Sequence, residues 1–284
     1  MSEQHPALTI VGSINLDITA TTDRLPTPGE TLGGGVLRRQ PGGKGANQAV
    51  AGARLGGHVR MVGAVGNDGD GEALVAAMAA AGVDTTGVGR SGEPTGTALI
   101  NVDSHGENQI VVCPGANGTV SLDGVEFGPD EAVLCQLEID LAVVAEAARR
   151  TSGYFALNAA PAMHLPAELL ERCDLVIVNE TEYALIPELA DAKLVAVTYG
   201  KDGAAILERG VKVAEAPGVS VPVANTIGAG DAFCAALVLA LRSGLDYAAA
   251  LATANAVGAA AVGDAASQPA LEPLERYMPA AGSR

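Results

Sequence analysis

The sequence predicts an α/β fold with a mostly parallel central sheet and helices on both of its faces. Six short apolar runs recur along the chain, at residues 8–11, 59–62, 132–136, 154–157, 175–178 and 194–198. Segments rich in Ala and Leu, long enough to form helices, alternate with these runs. Continuous apolar runs are typical of strands buried on both faces, and their alternation with helices is typical of parallel sheets. A chain of 284 residues fits one such unit, so we expect residues 1–284 to form a single domain.

Two stretches depart from this rhythm, at residues 15–40 and 95–113. In both, polar and β-branched residues partly alternate, and Pro and Gly interrupt the pattern. This predicts antiparallel strands outside the main sheet, inserted into the domain. Because ligands of open α/β folds bind beyond the carboxyl ends of the strands, a small sheet emerging there would cover the site as a lid.

The composition narrows the classes of partner. The formal net charge is -16 at pH 7, and nucleic-acid backbones are held by clustered Lys and Arg, so we expect no nucleic-acid partner. The first ten residues lack the pattern of a secretory signal, and the Ala-rich stretch 248–262 is too short to span a bilayer. The four cysteines lie far apart in the sequence, which predicts buried free thiols. These features predict a cytoplasmic protein without a membrane partner.

The most informative motif is NTIGAGDAF at residues 225–233, which precedes a long apolar run. Glycines at the start of a helix expose backbone N–H groups, and the helix dipole adds positive potential, so this segment could form an anion hole for a phosphate. Asp231 would then lie where a carboxylate can take a proton from an attacking hydroxyl. An N-capping Asp after a Gly-rich turn explains the same residues, and the segment alone leaves both interpretations open.

A second glycine-rich motif, QPGGKGANQA, occupies residues 40–49 before another Ala-rich segment. Its glycines would let a sugar approach the backbone, and Asn47 can both donate to and accept from hydroxyls. The spacing is not that of a Walker phosphate-binding loop. Taken by itself, the segment is more typical of an ordinary turn that begins a helix.

Together with GSINLD at residues 12–17, these two motifs resemble the ribokinase branch of the PfkB carbohydrate kinase family. The matching motifs run in order through nearly the whole chain, at residues 12–17, 26–30, 42–47, 115–117, 136–138, 158–162, 179–182 and 228–231. The resemblance implies a three-layer ribokinase-like fold and an alcohol-acceptor phosphotransferase. Its reaction would be the ATP-dependent phosphorylation of D-ribose at the primary 5-hydroxyl.

The resemblance also implies a role for each matched position. Asp231 would be the general base, beside an anion hole of Gly228, Ala229 and Gly230. The sugar would be held by Asn15, Asp17, Gly43, Lys44, Asn47, Glu138 and Asp231. ATP would contact Asn179, Thr198, Gly200, Gly230 and Asn255. Glu182 would hold Mg²⁺ through water, and the pattern at residues 179–182 also matches a helix-capping motif.

Family members bind a monovalent cation, usually K⁺, beside the anion hole, and the corresponding positions here are Asn225, Ile227 and Ala266. Asn225 replaces an Asp, and Ala270 replaces a Ser. An amide keeps an oxygen ligand but removes a full charge, so we expect cation affinity to fall and K⁺ activation to weaken. The family also implies a homodimer formed through the lid, which would cover exposed strand edges.

Two alternative functions stay open at this point. A related kinase could act on 2-deoxyribose, a ketohexose or a nucleoside, although the retained set Asn15, Asp17, Lys44, Asn47 and Glu138 favours ribose. A protein of another class, a sugar-binding sensor without turnover, would have no use for a general base, so the intact Asp231 argues against it.

Overall fold

A nine-stranded sheet forms the centre of the molecule in the computed structural model, which describes residues 6–280; the ends of the predicted 1–284 domain lie outside the described residues. Its strands are β1 (Ala7–Val11), β4 (His58–Gly66), β5 (Asp84–Ser91), β8 (Ala132–Gln136), β9 (Tyr154–Asn158), β10 (Leu175–Asn179), β11 (Val195–Thr198), β12 (Ala204–Glu208) and β13 (Val211–Ala216). The order across the sheet is β13-β12-β11-β10-β9-β8-β1-β4-β5. The strands from β11 to β5 are parallel, and β12 and β13 add an antiparallel hairpin at one edge.

Helices cover both faces of this sheet, which confirms the predicted α/β fold. They are α1 (Lys44–Arg54), α2 (Gly69–Ala80), α3 (Leu141–Arg150), α4 (Ala167–Arg172), α5 (Glu180–Leu185), α6 (Ala229–Arg242) and α7 (Tyr247–Val262). One core cluster joins α1, α2, α6 and α7 to the sheet, and a second joins α3 and α4 to the opposite face. Neighbouring strand residues enter different clusters, as with Leu134 and Cys135, because successive side chains of a strand point to opposite faces.

A separate four-stranded sheet lies in the two stretches that were predicted to form a lid. It consists of β2 (Asn15–Thr21), β3 (Val36–Gly42), β6 (Gly96–Val102) and β7 (Asn108–Cys113), in the order β3-β2-β6-β7. The outer pairs are antiparallel as predicted, but the central pair β2 and β6 is parallel. The reason is that β2 continues from β1 and β6 continues from β5, and the strands of that part of the main sheet all run in one direction.

Three strands and one cysteine differ from the sequence-based expectation. The sequence does not predict β5, β12 and β13. The edge strands β5 and β13 are largely exposed and have polar sequences, whereas β12 is buried but its run AAIL is too short to distinguish a strand from a helix. Cys135, Cys173 and Cys234 are buried free thiols as predicted, whereas Cys113 is exposed on β7, so the prediction was wrong for that residue. Between residues 6 and 280, none of the helices combines the length and the hydropathy that a bilayer crossing requires.

Candidate functional site

The carboxyl ends of the parallel strands meet at one edge of the sheet, where α1 and α6 begin. A cavity of about 200 Å³ lies at this edge. It is lined by Lys44, Asn158, Ala160, Ile177, Val178, Asn179, Glu182, Thr198, Thr226, Gly228, Gly230, Asp231, Phe233 and Cys234. The cavity therefore connects Lys44 and Asp231, predicted at the sugar, with Asn179, Glu182 and Thr198, predicted at the nucleotide.

Asp231 lies in the first turn of α6, directly after the predicted anion hole. Gly228 caps this helix at φ 80°, and a Cβ there would overlap the carbonyl oxygen of Ser267, so the position requires glycine. The N–H groups at the start of α6 and its dipole provide positive potential at this end. The glycine-rich turn and Asp231 thus both lie at the N-terminus of α6, where an anion hole would form.

The carboxylate of Asp231 is buried and accepts hydrogen bonds from two amides. Asn47 Nδ2 donates to Oδ2 and Gln48 Nε2 donates to Oδ1, both at 3.1 Å. Burial raises the pKa of Asp231, while the charge of Lys44 and the two amide donors oppose that rise. A carboxylate with a raised pKa is suited to accept a proton near neutral pH.

The start of α1 packs closely against the residues that follow β1. Gly43 has φ 85°, and a Cβ at this position would lie 2.7 Å from the backbone nitrogen of Asn15. The glycine therefore lets the two backbones meet and brings Lys44, the first residue of α1, into the cavity. Burial disfavours the charge of Lys44, but the nearby carboxylates of Asp231 and Glu138 outweigh it and raise its pKa, so the amine stays protonated.

Asp17 and Glu138 complete a group of three carboxylates with Asp231. Glu138 Oε2 accepts hydrogen bonds from Ser13 Oγ at 2.6 Å and from the backbone nitrogen of Lys44 at 3.0 Å. The pKa of Asp17 is raised to about 7, by burial first and then by the charges of Glu138 and Asp231. Two like charges beside a buried carboxylate are unfavourable, unless a bound polyol donates hydroxyl groups to them.

Asn15 is fixed by a second asparagine, Asn117, from the short 3₁₀ turn Gly115–Thr119. Asn117 Nδ2 donates to Asn15 Oδ1 at 2.7 Å, and Asn117 Oδ1 accepts from the backbone nitrogen of Ile14 at 2.8 Å. The side chain of Asn15 is therefore left with its NH₂ group for a ligand. The structure brings together all the predicted sugar-binding residues, through these contacts or through their charges.

Asn179 and Glu182 lie at the other end of the cavity. Asn179 is the N-cap of α5, with its Oδ1 accepting from the backbone nitrogen of Glu182 at 2.8 Å and its own nitrogen donating to Glu182 Oε2 at 2.9 Å. The capping motif is thus present, and Glu182 Oε1 takes no part in it. Thr198 pairs with Asn179 across β10 and β11, which places it at the same end.

A metal ion at this end would have few protein ligands. No group of three or more His, Cys, Asp or Glu side chains with metal-ligand geometry occurs in residues 6–280. Mg²⁺ commonly uses one or two carboxylates, retained waters and substrate phosphates. Glu182, with one free carboxylate oxygen in the cavity, fits that mode of binding.

Two residues predicted at the nucleotide do not line the cavity. Gly200 is exposed at φ 57° in the 3₁₀ turn Gly200–Asp202. Asn255 is buried on α7, where its Nδ2 donates to the carbonyl oxygens of Ala216 and Pro217, both at 3.0 Å. The amide of Asn255 is therefore used to fix the segment after β13 in place.

The residues predicted at a monovalent cation, Asn225, Ile227 and Ala266, all form hydrogen bonds within their own two loops. Asn225 Nδ2 donates to the carbonyl oxygen of Ala265 at 3.1 Å, and Asn225 Oδ1 accepts from the backbone nitrogen of Ile227 at 3.0 Å. An N–H group directed at a carbonyl links the two loops and repels a cation at the same position. Ala266 donates its backbone N–H to Asp264 at 2.9 Å. This donor set fits a cation poorly.

Three residues around Asp231, namely Gln48, Asn158 and Cys234, were not predicted from the sequence as site residues. Asn158 begins the matched motif at residues 158–162, and Gln48 lies in the glycine-rich motif at residues 40–49. Their place in these motifs was the signal that could have identified them as site residues. A polar residue inside an Ala-rich helix is usually exposed, and only the packing of α1 against α6 shows that Gln48 faces inward.

Comparison with known proteins agrees with this geometry. The family model of the pfkB family carbohydrate kinases matches residues 6–273. The ribokinase of Bacillus subtilis (strain 168) is 38% identical over 267 residues, covering 87% of this chain and 89% of that protein. The crystal structure of the ribokinase from Thermotoga maritima has a TM-score of 0.85 at 30% identity, covering 96% of this chain and 98% of that chain.

A second solved structure, Arabidopsis thaliana ribokinase complexed with ribose and ATP, also has a TM-score of 0.85, at 29% identity, covering 95% of this chain and 96% of that chain. The family model spans most of the described residues, and the identity to a ribokinase extends over most of both chains. The chain therefore belongs to the pfkB family of carbohydrate kinases.

Proposed function

We propose that this protein is an ATP-dependent kinase that phosphorylates D-ribose at its primary 5-hydroxyl. The observation that carries the proposal is the position of Asp231. Its carboxyl lies in the first turn of α6, directly after the glycine-rich segment, and its pKa is raised. The relatives named ribokinase, one of them solved with ribose and ATP, support the choice of sugar and phosphate donor.

In the proposed mechanism, Asp231 takes the proton of the primary hydroxyl as its oxygen attacks the terminal phosphorus of ATP. The bond between that phosphorus and the bridging oxygen of ADP breaks, and ADP leaves. The transferring group carries negative charge, which the backbone N–H groups of Ala229 and Gly230 and the charge of Lys44 would stabilise. Gly228 shapes this turn, since a side chain there would overlap Ser267.

The sugar would be recognised by the polar groups that surround Asp231. Asp17 and Glu138 would accept hydrogen bonds from sugar hydroxyls, and the NH₂ group of Asn15 and the amine of Lys44 would donate. Asn47 would align the base, and Gly43 would keep the backbone close to the sugar. A substrate that lacked one hydroxyl would leave a buried carboxylate or amide unpaired, and this favours ribose over 2-deoxyribose.

The nucleotide would lie along the other end of the cavity. Asn179, Thr198 and Gly230 would contact the phosphates there. Glu182 would hold Mg²⁺ through water, and the bound ion would neutralise charge on the phosphates. Gly200 and Asn255 would act on the adenosine part, Asn255 through the segment at Ala216 and Pro217 that it fixes.

We also propose that K⁺ does not activate this enzyme strongly. The amide of Asn225 forms the link between residues 225–227 and 264–266 that a bound cation would otherwise provide. Replacing a carboxylate by an amide removes the charge that would attract the cation. Ile227 and Ala266 would then have only a structural role.

Turnover tests the choice between a ribose kinase, a kinase for another acceptor and a sensor. ATP consumption with Mg²⁺ should be measured with D-ribose, 2-deoxyribose, a ketohexose and nucleosides, each with K⁺ and with Na⁺ at equal ionic strength. We expect the highest kcat/KM with D-ribose and little difference between the cations. A preference for another acceptor would overturn the substrate assignment. Tight sugar binding without any turnover would identify a sensor.

The lid would also form a homodimer interface. On its edge strands, apolar side chains are between 51% and 63% exposed, at Val36 and Leu37 of β3 and at Ile110, Val111 and Val112 of β7. Exposed apolar edges of this kind commonly mark an interface. Ile110→Glu should convert the dimer to a monomer in sedimentation equilibrium, whereas Val211→Glu, at a site on β13 that is also exposed, should not. A wild-type monomer at all concentrations would overturn this proposal.

A further inference from the structure

A chain of buried amides extends from Asp231 into the core. Gln48 Nε2 donates to Asp231 Oδ1 at 3.1 Å and to Asn158 Oδ1 at 3.0 Å. On its other side, Gln48 Oε1 accepts from Gln136 Nε2 at 2.6 Å. Gln48 and Gln136 are both fully buried, so no hydrogen bond to water competes with these contacts.

The direction of every amide in this chain follows from chemistry. An ionised carboxylate only accepts hydrogen bonds, so Gln48 must turn Nε2 toward Asp231. Its Oε1 then faces Gln136, which must present Nε2 in turn. Asn158 is fixed independently, because its Nδ2 donates to the carbonyl oxygen of Ile177 at 3.1 Å and its Oδ1 therefore faces Gln48. Asp231 and Asn158 therefore favour the same orientation of the Gln48 amide.

This orientation leaves one group unpaired at the far end. Gln136 Oε1 is buried and has no hydrogen-bond partner within the described part of the chain. It lies against Gly12, where a Cβ would overlap it, so the first glycine of the GSINLD motif is required by this side chain. A buried unpaired oxygen is unfavourable, and an apolar residue at position 136 would avoid it. The polar contact that Gln136 does make is through its donor end, which bonds to Gln48 Oε1.

We propose that Gln136 acts through Gln48 as a positioning residue, holding an N–H group on Asp231 so that the base stays ionised and in one orientation. The proposal rests on the role of Asp231 in the proposed function. The other charged or titratable groups facing Asp231 are Lys44, Glu138, Asp17 and Cys234, and changes at Gln136 leave all four in place.

Two substitutions separate positioning from packing. Gln136→Met keeps the length of the side chain but removes the donor to Gln48 Oε1, so the Gln48 amide is held from one side only and its N–H contact to Asp231 weakens. Gln136→Glu, when ionised, places an acceptor opposite Gln48 Oε1, and the two oxygens repel each other unless Gln48 turns Nε2 toward position 136 and Oε1 toward Asp231. An N–H donor stabilises the charged carboxylate and lowers its pKa, so losing the donor raises the pKa and moves the acid limb of the kcat profile to higher pH. The shift should be larger for Gln136→Glu.

For Gln136→Met we expect kcat to fall about tenfold, with KM for ribose within about twofold and the acid limb displaced upward by roughly one pH unit. Val133→Ala is the matched control, because it removes core volume from the same strand on the opposite face. It should lower the melting temperature but leave the acid limb in place. Should Gln136→Met not fold, Gln48→Met tests the same N–H group.

The positioning role would be overturned if the acid limb of the kcat profile were unchanged in both Gln136 variants. It would also be overturned if kcat fell only in proportion to the melting temperature, as in Val133→Ala. A wild-type protein without any kinase activity would instead overturn the proposed function. In that case, carboxyl-carbon NMR titration of Asp231 still decides the matter, since its pKa must rise in Gln136→Met if the amides hold it.

Discussion

Asp17 offers a sharp test of the electrostatics of the site, because its ionisation should oppose folding. Its carboxyl is buried beside Glu138 and Asp231, and its pKa is raised from 3.8 to about 7. The folded state therefore binds a proton more tightly than the unfolded state. By linkage, Asp17 contributes fully to the free energy of unfolding below about pH 4, where it is protonated in both states. This stabilisation is lost as the pH rises toward about 7.

The size of the effect follows from the two pKa values. Each unit of difference corresponds to about 1.4 kcal/mol, so the ionised Asp17 lowers the free energy of unfolding by up to about 4 kcal/mol above neutral pH. Asp17→Asn removes the charge with little change in shape. We therefore expect the variant to be more stable than the wild type at about pH 8, and the two proteins to converge at about pH 4.

Urea unfolding across this pH range measures the difference. Asp23→Asn, at an exposed aspartate of the same lid segment, is the matched control and should not alter the pH dependence. Calorimetry should show that Asp17→Asn also weakens ribose binding, since the carboxylate is proposed to accept sugar hydroxyls. Equal pH slopes in the wild type and Asp17→Asn would refute the electrostatic reasoning.

Three further substitutions test other parts of the site. Gly228→Ala should lower the free energy of unfolding by at least about 1 kcal/mol and reduce kcat strongly, because of the positive φ and the overlap with Ser267. Gly230→Ala is the control, since a Cβ there has open space, and it should be no less stable than the wild type in the same melting experiment. Asn225→Asp should make the rate respond to KCl but not to NaCl, and an unresponsive variant would contradict the proposed replacement of the cation. Asn255→Leu should raise KM for ATP several-fold without changing KM for ribose, and equal changes in both would argue against its local role.

The parallel strands were predictable because burial on both faces leaves a continuous apolar run. All six predicted runs became strands of the main sheet. Strand β5, with the sequence DTTGVGRS, closes one edge and is half exposed, so its pattern carries no apolar signal. Strand β13 was missed for a related reason, since it is mostly exposed, whereas β12 is buried and its short apolar run AAIL does not by its pattern distinguish a strand from a helix.

The site was predictable where its residues stand in glycine-rich motifs. Asp231, Lys44 and Asn47 stand beside glycines whose positive φ or tight packing the fold requires, so the motif and the geometry coincide. Gln48 lies one residue beyond Asn47, yet only the packing of α1 shows that it faces the base. For Asn255 the motif predicted a contact with the nucleotide, but it did not reveal that the amide of this residue is bound to backbone carbonyls.

The comparison of wild type with Asp231→Asn most directly tests the assignment of the general base. Ribose binding is measured by calorimetry, and a single turnover of bound ATP is followed by rapid quenching. We expect the variant to bind ribose within a few-fold of the wild type and to transfer the phosphoryl group at least about 10² times more slowly, since an amide cannot accept the proton. Transfer at the wild-type rate in Asp231→Asn would contradict the mechanism and require another base.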